Sequence, residues 1–509
     1  MMAFDESTMP GCRRIRWRRW SPVALLVLVL LMSEAATRDY RPFAQVAHAA
    51  VKRRVFVPLV AGTRGSPAPT PPPSASPGPT AMPPGGQLAA FPGAEGFGTT
   101  TTGGRGGRIL YVTTLADAGP GSLRSALTAS GPRTVLFQVA GTITLNDDIV
   151  INAPFLTIAG QSAPGEGVQI RGGMLHIRTH DVVIRYLRLR PGDMLNASAV
   201  QTRDALTING TGQDDVYHVV IDHCSLLWGP DIGGAALLSG IRDSTIQDTI
   251  IGEGLYLSNH PEATAAQDGH SLGLNITQLT AGSYPTRITL HHNLLTTADQ
   301  RMPQVMGGAS VDVVNNVVYN WGVSPAQGNP RSLNLINNLF IRGPMTKTLL
   351  AWEPRTNAEH PTLRPDSVYE RGTVTEGFTT VRGDPQTVYA AARFVPYSLR
   401  TEQTPQDAYA RIVQDVGPTR PARDRVDQRI VDQLRNRTGS FPNGNELVWP
   451  SLAPGPIAVD ADQDGMPDAW ERDWFGTLSR GTPTDSSGDF DRDGYTDVEE
   501  YLNRSNPTQ

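Results

Sequence analysis

The chain predicts an all-β fold: a right-handed parallel β-helix with flanking loops and short C-terminal helices, followed by a small calcium-loop module. Three observations carry that prediction. Short apolar segments recur every 22 to 25 residues, polar residues fall in one column of those segments, and two oxygen-rich loops of twelve residues stand near the C-terminus. Repeats of that length with β-branched cores mark stacked coils of strand.

The composition agrees. Of 509 residues, 51 are glycine and 41 proline, and hydrophobic residues make up only 39%. That balance suits many short strands joined by turns and does not suit a helical bundle. The net charge of −5 provides no basic field, so no nucleic-acid partner is expected, and a monomer is the expected state.

Residues 1–49 read as a signal peptide. Arg13, Arg14, Arg16, Arg18 and Arg19 precede the apolar run Val23 to Met32, which is too short to span a bilayer, and Ala47-His48-Ala49 offers a cleavage site. Secretion is therefore expected. Residues 50–86 form a proline-rich linker, including SPAPTPPPSASPGPTAMPPGG, whose composition favours an extended spacer. Removal of the leader takes Cys12 with it and leaves Cys224 as the single thiol.

Residues 87–350 are expected to form the β-helix. The segments VIDHCSLLW, TIQDTIIGE, TLHHNLLTT, VVNNVVYNW and LINNLFIRG align on Ile221, Ile246, Leu290, Val313 and Leu335. The steps are 25, 44, 23 and 22 residues, and the 44 reads as two coils. Cys224, Thr249, Asn293, Asn316 and Asn338 then share one column, where stacked amides satisfy turn backbones. The adjacent column of His223, Asp248, His292, Asn315 and Asn337 reads as structural too, as does Asp222. Residues 351–446 read as loops and two helices, with Val426, Ile430, Val431 and Leu434 on one face, suited to covering an open end of the coil stack.

Residues 447–509 are expected to be an EF-hand-like calcium-binding tail. One loop carries Asp460, Asp462, Asp464, Gly465, Met466, Asp468 and Glu471; the other carries Asp489, Asp491, Asp493, Gly494, Tyr495, Asp497 and Glu500. Both place oxygens at positions 1, 3, 5, 9 and 12, glycine at 6, and a backbone carbonyl (Met466, Tyr495) at 7, which is what a calcium ion requires. With no helix evident before either loop, the pattern resembles dockerin or thrombospondin type 3 repeats. Such a tail implies stabilisation outside the cell or attachment to a cell-surface or scaffold partner.

A second resemblance comes from the blocks FPGAEGFG, LYVTTLADAGPGSLRSAL, LTIAGQSAPGEGVQI, IRYLRLRPGD, IDHCSLLW, DGHSLG, LHHNLL, QRMP and VVNNVVYNWG. In that order they resemble pectate lyase-like proteins of polysaccharide lyase family 1, over roughly residues 89–440. The resemblance implies cleavage of an acidic plant-type polysaccharide, pectate, by β-elimination, usually with calcium. It implies Arg301 as the base and Asp193, Asp204 and Asp231 as calcium ligands, with His260 and His270 lining the substrate groove. Arg188 and Arg203 are the arginines expected to clamp substrate carboxylates. Thr202, Ile232 and Met306 depart from the family pattern, and no lysine matches the one that binds substrate there. Two other readings remain open at this stage. One is a β-helix hydrolase using paired carboxylates among Asp222, Asp231, Asp248 and Glu253; the other is a polysaccharide-binding protein without catalysis.

Overall fold

Strands of three to seven residues dominate the chain, and every pairing between them is parallel. The computed structural model describes residues 88–193, 202–210, 212, 215–357, 360–381 and 389–509. The expected signal peptide and the whole of the linker lie outside the described residues. The strands form sheets of ten, nine and eight strands, and each coil visits them in that order. This is a parallel β-helix, in agreement with the spacing of the repeats.

The interior is an aliphatic stack. Val135, Ile158, Ile184, Ile221, Ile246, Leu290, Val313 and Leu335 lie in direct register on successive strands of the ten-stranded sheet. All are buried in one core. Each such side chain contributes about 1.5–3 kcal/mol through burial. The helix Leu123–Leu127, capped by the Ser122 side chain, adds Leu123, Ala126 and Leu127 to that core beside the first strand.

The register confirms the alignment of Ile221, Ile246, Leu290, Val313 and Leu335 and corrects one step. Strand Ile241–Gln247 pairs directly with Thr286–His291, so the 44-residue interval is one coil and not two. Its extra length goes into the loop 253–271, between strands Ile250–Gly252 and Leu272–Ile276. A strand ladder fixes the pairing of strands and leaves the length of the intervening turn free.

The polar column behaves as expected. Cys224 N–H donates to Thr249 Oγ1 (3.2 Å), Thr249 N–H to Asn293 Oδ1 (3.0 Å), Asn293 N–H to Asn316 Oδ1 (2.9 Å), and Asn316 N–H to Asn338 Oδ1 (2.9 Å). The neighbouring column of His223, Asp248, His292, Asn315 and Asn337 has φ between 47° and 57° at each position. These residues turn the chain sharply from the ten-stranded to the nine-stranded sheet. Asparagine and aspartate tolerate that left-handed conformation better than most residues.

The helices Pro405–Asp415 and Arg425–Asn436 do not cover an open end. They lie along the flank, where Ile412, Val416, Ile430, Val431 and Leu434 pack on Leu227, Ile250, Leu294, Val317 and Leu339 from the nine-stranded sheet. The apolar outer face of that sheet required a cover. Nor is the tail detached. Met466, Val498 and Leu502 bury against Ile109, Leu136 and Ala159 of the ten-stranded sheet. Arg105 pairs with Glu499 at 2.8 Å, and Arg185 donates to Asn503 at 2.6 Å.

Candidate active site

The turns between the nine- and eight-stranded sheets include residues 190–193, 202–205, 228–231, 253–271, 297–303 and 342–351. Because coils stack, side chains far apart in sequence meet along this one corner. Asp231, His260, His270 and Arg301 all sit on it.

Asp231 Oδ1 lies 3.4 Å from His270 Nε2, and His270 Nδ1 lies 3.4 Å from Glu262. The His260 and His270 rings stack with centroids 4.1 Å apart. Beneath them Asp204 is buried; it accepts from the Thr207 hydroxyl (2.5 Å) and from Ile232 N–H (3.0 Å). Burial and the adjacent Asp231 charge push its carboxyl well above the usual range.

Arg301 occupies the centre. Its backbone is left-handed (φ 66°), and its carbonyl accepts from Leu274 N–H at 2.6 Å, which fixes the turn. Its Nε is buried without a partner. Burial lowers the guanidinium pKa and the Arg355 charge adds to that; Asp231, Glu262 and Asp204 oppose it without cancelling it. An arginine brought below its ordinary value on a partly open surface is suited to accepting a proton.

Three charged residues not expected from the sequence join the cluster. Glu262 comes from the long loop. Lys347 Nζ lies 3.1 Å from Asp268 and 3.9 Å from Asp299. It gets there because Lys347 N–H donates to Gly322 O (2.9 Å) and Gly322 N–H to Asp299 O (3.1 Å), stacking three successive turns. Arg355, held by Glu353 at 3.3 Å, follows the strand Trp352–Pro354, which pairs with Ala326–Gly328. A signal for Lys347 was present: it is the single lysine after the linker.

Several expected residues fall elsewhere. Arg188 is fully buried between Asp424 (3.3 Å) and Asp427 (3.5 Å) beneath the flanking helices, so it cannot clamp a substrate. Arg203 is also buried, paired with Asp148 at 3.1 Å. Arg188 joins the β-helix to the flanking helices, and Arg203 joins two of its own turns. Asp193 borders the cluster only through its backbone carbonyl, which accepts from Asn259 (2.9 Å); it does not join the group of Asp231, His260 and His270, whose ligand atoms lie within 4.8 Å of one another. Of the carboxylates a hydrolase would pair with Asp231, Asp222 is taken by Arg185 (2.7 Å) and His223 (2.9 Å), Asp248 by Arg411 (2.7 Å) and Glu253 by Arg429 (2.6 Å). No second carboxylate among them is free to act as acid or base.

In the tail the two loops repeat one geometry. Asp460, Asp462 and Asp464 gather their carboxylates, as do Asp489, Asp491 and Asp493. Gly465 and Gly494 both have φ 100°. Glu471 and Glu500 are buried, yet neither has a partner for either carboxylate oxygen. Burial and the facing aspartates push Glu471 up to about 7 and Glu500 up to about 9. Four orphaned oxygens aimed into acidic loops fit a divalent cation, since an unpaired buried carboxylate is otherwise costly. Asp468 and Asp497, the acids at the ninth position, have partners already. Each accepts the N–H of the second loop residue (Ala461, 2.8 Å; Phe490, 2.9 Å), and each meets an arginine (Arg472, 3.1 Å; Arg480, 2.8 Å). They brace the loops. Short helices, Asp468–Phe475 and Asp497–Asn503, follow the loops.

No protein-family model matches the chain. It is 32% identical over 451 residues to probable pectate lyase C of Aspergillus terreus, covering 83% of this chain and 95% of that protein. Probable pectate lyase C of Aspergillus flavus is 30% identical over 436 residues, with 83% and 95% covered. Among solved structures, Jun a 1, the major allergen from cedar pollen, superposes with a TM-score of 0.50 at 20% identity, over 64% of this chain and 92% of that one. The last likeness concerns the fold alone.

Proposed function

Because the chain belongs to the pectate lyase family and is a polysaccharide lyase, we propose that it is a secreted enzyme cleaving pectate-type polyuronides by β-elimination, with Arg301 as the base. The observation that carries this is the guanidinium of Arg301, its Nε unpartnered and its pKa lowered, on a corner that also holds Asp231, His270 and Glu262. Elimination removes the proton from carbon 5 of a uronate, next to the carboxylate. Arg301 takes that proton, the electron pair forms the 4,5 double bond, and the glycosidic oxygen departs from carbon 4. Arg355 supplies positive charge beside Arg301 for the substrate carboxylate, and Lys347 supplies it beside Asp299. His260 and His270 form a stacked wall against which a sugar ring rests.

At this corner the chain offers little to hold calcium by itself. Both oxygens of Asp204 are engaged, Asp193 stands apart, and Asp231 remains. When bound with substrate oxygens, the ion would neutralise the uronate and acidify its carbon 5 proton.

The tail fits calcium better. Asp460, Asp462, Asp464 and Glu471 with the Met466 carbonyl would hold one ion; Asp489, Asp491, Asp493 and Glu500 with the Tyr495 carbonyl would hold another. Their role is structural, because Met466 and Val498 sit in the seam with Ile109 and Leu136. Chelation should lower the melting temperature of the whole chain, and Glu471→Gln with Glu500→Gln should abolish two calcium equivalents in calorimetry. An unchanged stoichiometry in that variant would remove the tail sites.

The lyase reading is tested by incubating the protein with polygalacturonate and calcium and following ultraviolet absorbance of the unsaturated product. Release of saturated sugars alone overturns it.

A further inference from the structure

A cleft of about 370 Å³ lies well away from Arg301, where the tail meets the turn between the ten- and nine-stranded sheets. Three distant segments build it: Gln161 from that turn, Arg420 from the link between the flanking helices, and Trp470, Trp474, Tyr501 and Arg504 from the tail. Trp470 stands 6.5 Å from Trp474 and 5.6 Å from Tyr501, centroid to centroid, and Trp474 is 41% exposed. An exposed tryptophan beside two further aromatic rings in a cleft calls for an explanation. Charge narrows the choice. Among the described residues neither Arg420 nor Arg504 makes a salt bridge; Arg420 only overlies the Tyr186 ring at 5.7 Å. The side-chain oxygens of Gln161 and of the adjoining Ser505 are buried without a partner.

We propose that this cleft is a second carbohydrate site, one that binds acidic oligosaccharide without cleaving it. The aromatic platform matches the apolar face of a pyranose ring, and the two guanidinium groups match uronate carboxylates. Gln161 and Ser505 offer hydrogen bonds to ring hydroxyls. Neutral sugars would use the platform and leave both arginines unanswered; simple anions would use the arginines and leave the platform bare. A uronate oligomer uses both. The choice of ligand rests on the lyase reading, whereas the existence of the site does not. On a polymeric substrate such a site tethers the polysaccharide to the enzyme and raises its local concentration.

The test uses the full chain with calcium, in an Arg301→Ala background so that the probe is not consumed. Hexagalacturonate titrated by calorimetry should fill two sites per chain. Trp474→Ala and, separately, Arg504→Glu should weaken one of them about tenfold or more while the other persists; both positions are exposed, so folding is checked by an unchanged melting temperature. The fully methyl-esterified hexamer should miss the same site. Two sites of unchanged affinity in both variants, or equal binding of the neutral hexamer, overturn the proposal. If the wild-type chain yields no unsaturated product yet retains a Trp474-dependent site, the lyase reading fails and this one stands.

Discussion

The two turns that bracket the nine-stranded sheet are made from the same coils and behave in opposite ways. Before it, from Tyr186-Leu187 onward, the turn is two residues long and its charges are answered: Asp222 by Arg185 and His223, Asp248 by Arg411. After it, turns reach 19 residues in the loop 253–271, and charges face one another across an open surface. A short turn under a packed helix must satisfy its polar groups internally, since a buried unpaired charge costs several kcal/mol. A long turn at the surface has water and substrate as partners, so it can keep an arginine such as Arg301 incompletely matched.

The largest effect should come from breaking the open corner. Arg301→Ala is expected to reduce turnover by about 10²- to 10⁴-fold, with melting temperature little changed. Loss of fold together with activity would place Arg301 among the structural groups instead.

Next is the closed corner. Asn316→Ala removes the acceptor for Asn293 N–H and three donor contacts, to Leu290 O, Val314 O and Asn338 Oδ1. Stability should fall by about 1–3 kcal/mol in urea titration. Turnover at saturating substrate should stay near wild type, because no chemistry is routed through the ladder.

The smallest effect concerns pH. His223 is buried, which opposes its charge, but Asp222 outweighs burial and raises its pKa well above the ordinary value. Its contribution to stability is therefore complete below the unfolded pKa of about 6.5 and is lost as pH rises through the folded value. Asp222 is depressed: burial would raise it, and His223 and Arg185 prevail. Its contribution is present above about pH 4 and lost as pH falls. His223→Gln should flatten the alkaline arm of the stability profile and shrink the acid arm without removing it, because Asp222 would then keep only Arg185. A variant that keeps the alkaline slope would show that some other group controls it.

By itself the sequence determined the coil spacing, the ladder from Cys224 to Asn338, the paired tail loops and the position of Arg301. These are local signals, since strand period, turn chemistry and loop motifs repeat within a few residues. Tertiary structure decided the rest. It made the 44-residue step one coil, because ladder pairing constrains strands and leaves turns free. It buried Arg188 and Arg203, since nothing in their own segments records that Asp424 and Asp148 will lie against them. It seated the tail, and separately the helices Pro405–Asp415 and Arg425–Asn436, on the flanks of the coils, where apolar strand faces needed cover. And it brought Arg355 to Arg301 and Lys347 to Asp299, since stacking sets together residues that successive coils hold tens of positions apart.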